Sequence, residues 1–256
     1  MRLIAYWTAV DIIRSMPASF RTIAHLIYGG YSVAVFAAII CPTLLLLIFA
    51  PGLPRRRRLA KYAAASIFRF IGSPVELRGA NQLDPKAVVV ANHGSYLDGV
   101  ILTAALPENF TFVIKKEMQS VPLAGWLLRR LGSEFVDRDN HQERTRAARR
   151  LLRAAEARNG LVFFPEGTFD EQVGLKRFRP GAFRAARRAN VPLIPVAIRG
   201  ARHKLPGGRL LPRPGPICVE VATPLSCDDY PDANSLAAAA RQAILAMIDE
   251  PDLQVG

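Results

Sequence analysis

The stretch AVVVANHGSYLDGVILTAAL, Ala87–Leu106, decides the fold. It opens on five apolar residues with three valines in a row, the pattern of a short strand buried on both faces. It then meets a polar cluster, Asn92, His93, Ser95 and Asp98, and apolar residues resume at helical spacing after Ser95. A buried strand running through a polar turn into a helix belongs to a sheet with helices packed over it.

The alternation continues outward. Upstream, LAKYAAASIFRFIG (Leu59–Gly72) reads as a helix and PVELRG (Pro74–Gly79) as a short strand. Downstream, strand and helix follow in turn: FTFVIKK from Phe110, VPLAGWLLRRLG from Val121, SEFVDR from Ser133, then a strongly basic helix over His141–Arg158. GLVFFPEG from Gly160 is a strand, PGAFRAARRAN from Pro180 a helix, VPLIPVAIRG from Val191 and GPICVEVATPL from Gly215 strands, and Ser235–Ile248 a terminal helix. This order predicts an α/β fold, a largely parallel sheet flanked by helices. The 256 residues hold one such domain and an appendage of a few tens of residues.

That appendage is N-terminal. Thr22–Pro54 contains no Asp, Glu, Lys or Arg, and its core LIYGGYSVAVFAAIICPTLLLLIFA exceeds the roughly 20 apolar residues of a membrane span. Pro42 inside it should kink or break a helix. Two geometries fit: one tilted, kinked span, or a hairpin that enters one leaflet and turns near Cys41-Pro42. Residues Met1–Phe20 have apolar positions near helical spacing, suited to a membrane surface. The run PRRRR (Pro54–Arg58) marks the cytoplasmic side and suits anionic head groups, or is a solvated linker. The division expected is residues 1–58, membrane-associated, and 59–256, catalytic.

A formal charge of +13 points to an anionic partner: nucleic acid, a membrane surface or a phosphorylated substrate. No helix-turn-helix, RNP or zinc-finger signature is present, so nucleic acid is not expected. Cys41, Cys218 and Cys227 are scattered, which suits a reducing compartment without a disulfide framework. The four histidines are isolated from one another, and no metal site is expected.

In a parallel sheet, reactive groups gather where strands end. ANHGSYLD, GSEFVDR and FFPEGTF are strand ends with unusual polar sets. In the first, SYLD is a capping box, which accounts for Ser95 and in part for Asp98. Capping gives His93 nothing. With His93 in the loop, Asp98 on the first helical turn can face it, fix its tautomer and prepare it to accept a proton. From spacing alone the capping and acid–base readings stay open. A serine nucleophile is disfavoured because Ser95 lacks a G-x-S-x-G elbow.

NHGSYLD resembles the N-H-x-x-x-x-D block of the glycerolipid (lysophospholipid) acyltransferase family. GSEFVDR, FPEGT and VPLIPVAI resemble its second, third and fourth blocks, in the family's order from Asn92 to Ile198. The resemblance implies acyl transfer from acyl-CoA or an acyl carrier protein to the free hydroxyl of a lysophospholipid, most simply lysophosphatidic acid. It implies His93 as general base, Asp98 orienting it, and Asn92 and Ser95 shaping the turn. Arg138 matches the arginine near the acceptor phosphate, or pairs with Asp137 or Asp139. Glu166, Gly167 and Thr168 match the E-G-T core, where Glu166 serves acceptor binding or holds the turn, and backbone N–H groups can face developing charge.

The chain departs from the commoner E-G-T-R pattern, because Phe169 stands where arginine is usual. Lys176, Arg177 and Arg179 are candidates to restore the charge; alternatively the acceptor differs, for example lyso-ornithine lipid. No cofactor is implied beyond the thioester co-substrate. The expected setting is a bilayer, with the site on the cytoplasmic face of a bacterial inner membrane. The arginines of the 141–158 helix, with Arg184, Arg187 and Arg188, suit anionic membrane, CoA phosphates or an acidic carrier protein.

Overall fold

Alternating residues of one strand feed two cores. The structure, a computed structural model, describes residues 17–137 and 160–254. In β2 (Val88–Ala91), Val89 and Ala91 join one buried cluster while Val88 and Val90 join another. That follows from the two-residue repeat of a strand. The first cluster lies under α2 (Leu53–Phe70) and α3 (Asp98–Ala105), through Phe68, Ile101 and Leu102. The second lies under α5 (Gly181–Ala189) and α7 (Ala233–Met247), through Phe183, Leu236 and Ile244.

Between these layers runs a seven-stranded sheet among the described residues, in the order β1-β7-β6-β2-β5-β3-β4. Its other strands are β1 (Val75–Arg78), β3 (Thr111–Lys115), β4 (Glu134–Val136), β5 (Leu161–Phe163), β6 (Leu193–Arg199) and β7 (Ile217–Val221). Every pair is parallel except β6 with β7. The expected largely parallel sheet with flanking helices is present. β2 sits between β5 and β6, so the C-terminal ends of three parallel strands converge, the usual ligand crevice of such sheets. Two short helices, α4 (Ala124–Arg130) and α6 (Ala201–Lys204), complete the set used below. Arg138, the basic segment 141–158 and the first sixteen residues lie outside the described residues.

Of the two geometries expected for the N-terminal segment, a single continuous helix forms and the hairpin does not. α1 (Ala18–Phe49) runs unbroken through Pro42, so no turn forms at Cys41-Pro42. A proline removes one hydrogen bond, and the apolar helix propagates on both sides of it. The chain reverses at Ala50–Gly52 instead, where Gly52 has φ +73°, and α2 packs against α1. Among the described residues α1 is the one helix long and apolar enough to cross a membrane, with mean hydropathy 2.6.

The domain grips α1 in two places, in its N-terminal half and near its C-terminal end. Tyr28 Oη donates to Ile71 O at 2.9 Å, and Tyr31 Oη to Phe70 O at 3.0 Å. Gly29 lies so close to Leu211 that a Cβ would meet it at 2.9 Å. At the other end Arg130 Nε donates to Leu47 O at 3.0 Å and Nη2 to Ile48 O at 2.5 Å. The outer face stays bare: Ile23, Ile27, Leu45, Leu46 and Phe49 are each more than half exposed.

The arginine run is not a linker; it forms the first turns of α2. Arg57 turns into the protein, its Nε donating to Leu131 O at 2.9 Å and its Nη2 to Thr111 Oγ1 at 2.6 Å. Burial lowers its pKa, though an arginine stays charged regardless. Residue 58 thus falls inside a helix that is stapled to the sheet.

Candidate active site

The site begins where β2 runs out. Asn92 continues the ladder with its side chain: Ile198 N–H donates to Oδ1 at 2.7 Å, and Nδ2 donates to Ile198 O at 3.0 Å. This anchors the turn to β6. Gly94 follows because a Cβ there would sit 2.8 Å from the Arg202 guanidinium. Ser95 Oγ accepts from Leu97 N–H at 3.1 Å and donates to Leu205 O at 2.7 Å, so the serine is spent on backbone.

Asp98 serves both readings left open by the sequence. Its Oδ2 accepts from Ser95 N–H and Gly94 N–H, both at 2.8 Å, closing the helix start. The same oxygen meets His93 Nδ1 at 2.8 Å. Asp98 is only 1% exposed, so this bond has little competition from water. An oxygen already accepting two N–H groups is an acceptor here too, which puts the proton on Nδ1. Nε2 then keeps its lone pair, on a ring that lines a large cavity.

Two aromatics fix the imidazole plane. Phe164 stacks on it at 4.3 Å between centroids, and Phe169 meets it edge-on at 4.6 Å. Tyr96 in turn packs edge-on against Phe169 at 4.8 Å. The departure at Phe169 was visible in the sequence, but its contact with His93 was not. Phe164 was missed; the FF pair before Pro165 is the only hint of it.

Glu166 ties two loops together. Its Oε1 accepts from His93 N–H at 2.6 Å and its Oε2 from Lys176 N–H at 2.8 Å. Burial pushes its carboxyl pKa up, against the pull of those two N–H groups. Gly167, at φ +87°, spends its N–H on Phe164 O at 3.0 Å. Thr168 has no hydrogen bond to another described residue and lines the cavity, so its N–H and hydroxyl can receive a ligand.

The downstream cations are not brought to the cavity. The Lys176 ammonium pairs with Asp170, and the exposed Arg177 and Arg179 do not line the wall. Arg202, which sequence reasoning passed over, is held by Glu250 at 2.9 Å and Gln172 O at 3.0 Å. The cavity measures about 1040 Å³, at the top of the roughly 300–1,000 Å³ usual for small-molecule sites. It extends from His93 to Phe36, Ile40 and Leu44 of α1. Its lysines and arginines already have partners: Arg57 as above, Lys61 on Leu106 O at 2.9 Å, and Lys115 on Glu117 at 2.9 Å. A base on the wall of a roomy, mostly apolar chamber suits acyl chemistry on a lipid-sized ligand.

Residues 74–199 match the Acyltransferase family model. The 1-acyl-sn-glycerol-3-phosphate acyltransferase of Escherichia coli K12 is 30% identical over 244 residues, covering 92% of this chain and 95% of that one. The coconut enzyme of the same name is 27% identical over 161 residues, 62% of this chain and 52% of its own; this chain spans about half the length of such plant relatives. Among solved structures, the 1-acyl-sn-glycerophosphate acyltransferase of Thermotoga maritima superposes with a TM-score of 0.71 at 21% identity, over 90% of this chain and 95% of that one. That likeness concerns the fold; the near-complete alignment with the bacterial sequence carries kinship as well. On these grounds the chain belongs to the 1-acyl-sn-glycerol-3-phosphate acyltransferase family.

Proposed function

We propose that this chain transfers a fatty acyl group from a thioester, acyl-CoA or acyl carrier protein, to the free hydroxyl of lysophosphatidic acid, giving phosphatidic acid. His93 Nε2 takes the hydroxyl proton as the oxygen attacks the thioester carbonyl. The C–S bond then breaks, and the departing thiolate recovers that proton from the imidazolium. Asp98 holds the tautomer and the growing positive charge. Thr168 N–H, on the same wall, donates in this reading to the carbonyl oxygen as it becomes negative. The thioester is already activated, so the reaction calls for no further cofactor.

The observation that carries this reading is the 2.8 Å His93–Asp98 pair on the wall of a mostly apolar cavity of about 1040 Å³, roomy enough for an acyl chain. The test is acylation of lysophosphatidic acid by membranes containing wild type or His93→Ala. A drop of about 10²–10⁴-fold is expected, the usual range for losing a general base. Unchanged turnover in the variant would remove His93 from the chemistry.

A second acceptor has its own support. Phe169 occupies the arginine position and covers His93, and the described cations on the wall are already paired. An acceptor without a phosphomonoester, such as a lyso-ornithine lipid, fits that wall. An acceptor panel decides, and Phe169→Arg should shift preference toward lysophosphatidic acid. Strict preference for lysophosphatidic acid in the wild type would exclude the second reading.

The membrane reading rests on α1. Its two grips, at Tyr28 and Leu47, lie about 28 Å apart along a helix rising ~1.5 Å per residue. A crossing of the roughly 30 Å hydrocarbon core would carry the attached domain in with it. We therefore place α1 along one leaflet, its bare apolar face in lipid, with the site on the cytoplasmic side.

A further inference from the structure

The turn before α4 contains a strained and exposed leucine. Leu123 has φ +61° and ψ −51°, and Ala124 N–H donates to Pro122 O at 2.6 Å across it. That is a γ-turn of positive φ, a rare conformation that costs a bulky residue free energy. Leu123 is nevertheless 60% exposed, so burial in the fold does not compensate. Val121 and Met118 beside it are 40% and 37% exposed.

The surroundings hold this turn rigid. Gly125 N–H donates to Val121 O at 2.8 Å, and Arg129 Nη1 donates to Gln119 O at 3.1 Å. A Cβ on Gly125 would meet Gln119 O at 2.3 Å, so only glycine lets the loop close. Strain kept by such support is characteristic of working positions.

We propose that Met118–Leu123 is a second membrane-inserting lip, facing α1 across the cavity mouth and dipping into the same lipid leaflet. This rests on the membrane reading of α1 given above. Continuity with that helix is the first argument. Met118, Pro122 and Leu123 line the same cavity as Phe36, Ile40 and Leu44, and Arg130 clamps α4 to the end of α1. Charge is the second. Lys115 and Lys116 precede the apolar turn, paired with Glu117 at 2.9 Å and Asp137 at 3.0 Å, while Arg129 and Arg130 follow it, so the rim keeps a net positive charge. A basic rim around exposed apolar side chains matches an anionic leaflet, head groups outside and hydrocarbon within. With both lips immersed, an acyl chain passes from leaflet to cavity without crossing water.

The test uses the full chain with Cys41, Cys218 and Cys227 changed to serine. Single cysteines at Leu123→Cys, Leu46→Cys on α1 and Lys86→Cys at the far end of β2 carry an environment-sensitive dye. Vesicles of phosphatidylethanolamine and phosphatidylglycerol with bromine on their acyl chains should blue-shift and quench the dye at 123 and 46, not at 86. Quenching at 46 without quenching at 123 overturns the lip and leaves the α1 reading standing. Quenching at neither overturns both. A shift at 123 produced by acyl carrier protein and not by vesicles assigns the surface to a protein, also against the proposal. Leu123→Gly gives an independent arm, since glycine relieves the strain and removes the apolar insert. It should melt at the same or a higher temperature yet bind vesicles roughly tenfold more weakly, the order expected for one lost leucine. Unchanged vesicle binding in that variant would overturn the lip.

Discussion

Replacing Lys204 with methionine should change how stability depends on pH. Lys204 is fully buried in α6, with Nζ 2.7 Å from Ser73 Oγ, 3.0 Å from Tyr28 Oη and 3.1 Å from Arg213 O. Those contacts join α1 to the domain, yet no described carboxylate pairs with the ammonium. Burial lowers its pKa from 10.5 to about 7. Between those values the unfolded chain holds a proton that the folded chain has released, so stability rises with pH across that window. The slope is at most about 1.4 kcal/mol per pH unit, so from pH 7.5 to 9.5 the gain is about 2.5 kcal/mol. Methionine does not titrate, and its lost hydrogen bonds are a constant offset. Thermal melts in detergent, followed by tryptophan fluorescence, should show wild type gaining about 5–10 °C over Lys204→Met across that range. Parallel curves would refute a buried lysine that sheds its proton on folding.

Asp98→Asn should leave a folded protein whose turnover falls by about 10³–10⁴, because the amide no longer selects the productive imidazole tautomer. Steady-state kinetics beside a melting curve separate this from unfolding; an active variant would refute the tautomer argument. Arg57→Lys should lower stability by about 2–4 kcal/mol, since one ammonium cannot replace a fork reaching Leu131 O, Glu108 O and Thr111 Oγ1. A melting point equal to wild type would return the arginine run to the role of solvated charge.

What was legible in the sequence follows from repeat length. Val88–Ala91 reads as a buried strand because a run of valines has no solvent face to spare, and the alternation of strand and helix was read from such runs, while the strand order was not. The capping and acid–base readings of Asp98 could not be ranked from spacing, since one oxygen performs both. Arg57 was lost among its neighbours because charge along a run does not reveal which side chain turns inward. Pro42 left span and hairpin open, because a helix tolerates one missing bond when packing holds both flanks. Phe164 and Phe169 meet His93 only when two strand ends converge, a long-range contact that no local pattern encodes.

These long-range contacts bear on where the chain can be divided. α1 looks detachable in sequence, being apolar and free of charge after Arg21. In the fold it forms one wall of the cavity that His93 serves, and it is bound by Tyr28, Tyr31, Leu47 and Ile48. α2 crosses residue 58 while Arg57 holds the sheet edge. A chain of residues 59–256 therefore loses the apolar helix α1, a wall of the cavity and the arginine fork together. It should be inactive even toward substrate dispersed in detergent, where no bilayer is needed. Anchoring alone would give the opposite result: a truncated chain that fails on vesicles and turns over normally in micelles. The comparison of the two assays thus separates a helix that tethers from a helix that builds the site, and the wall contacts argue for the second.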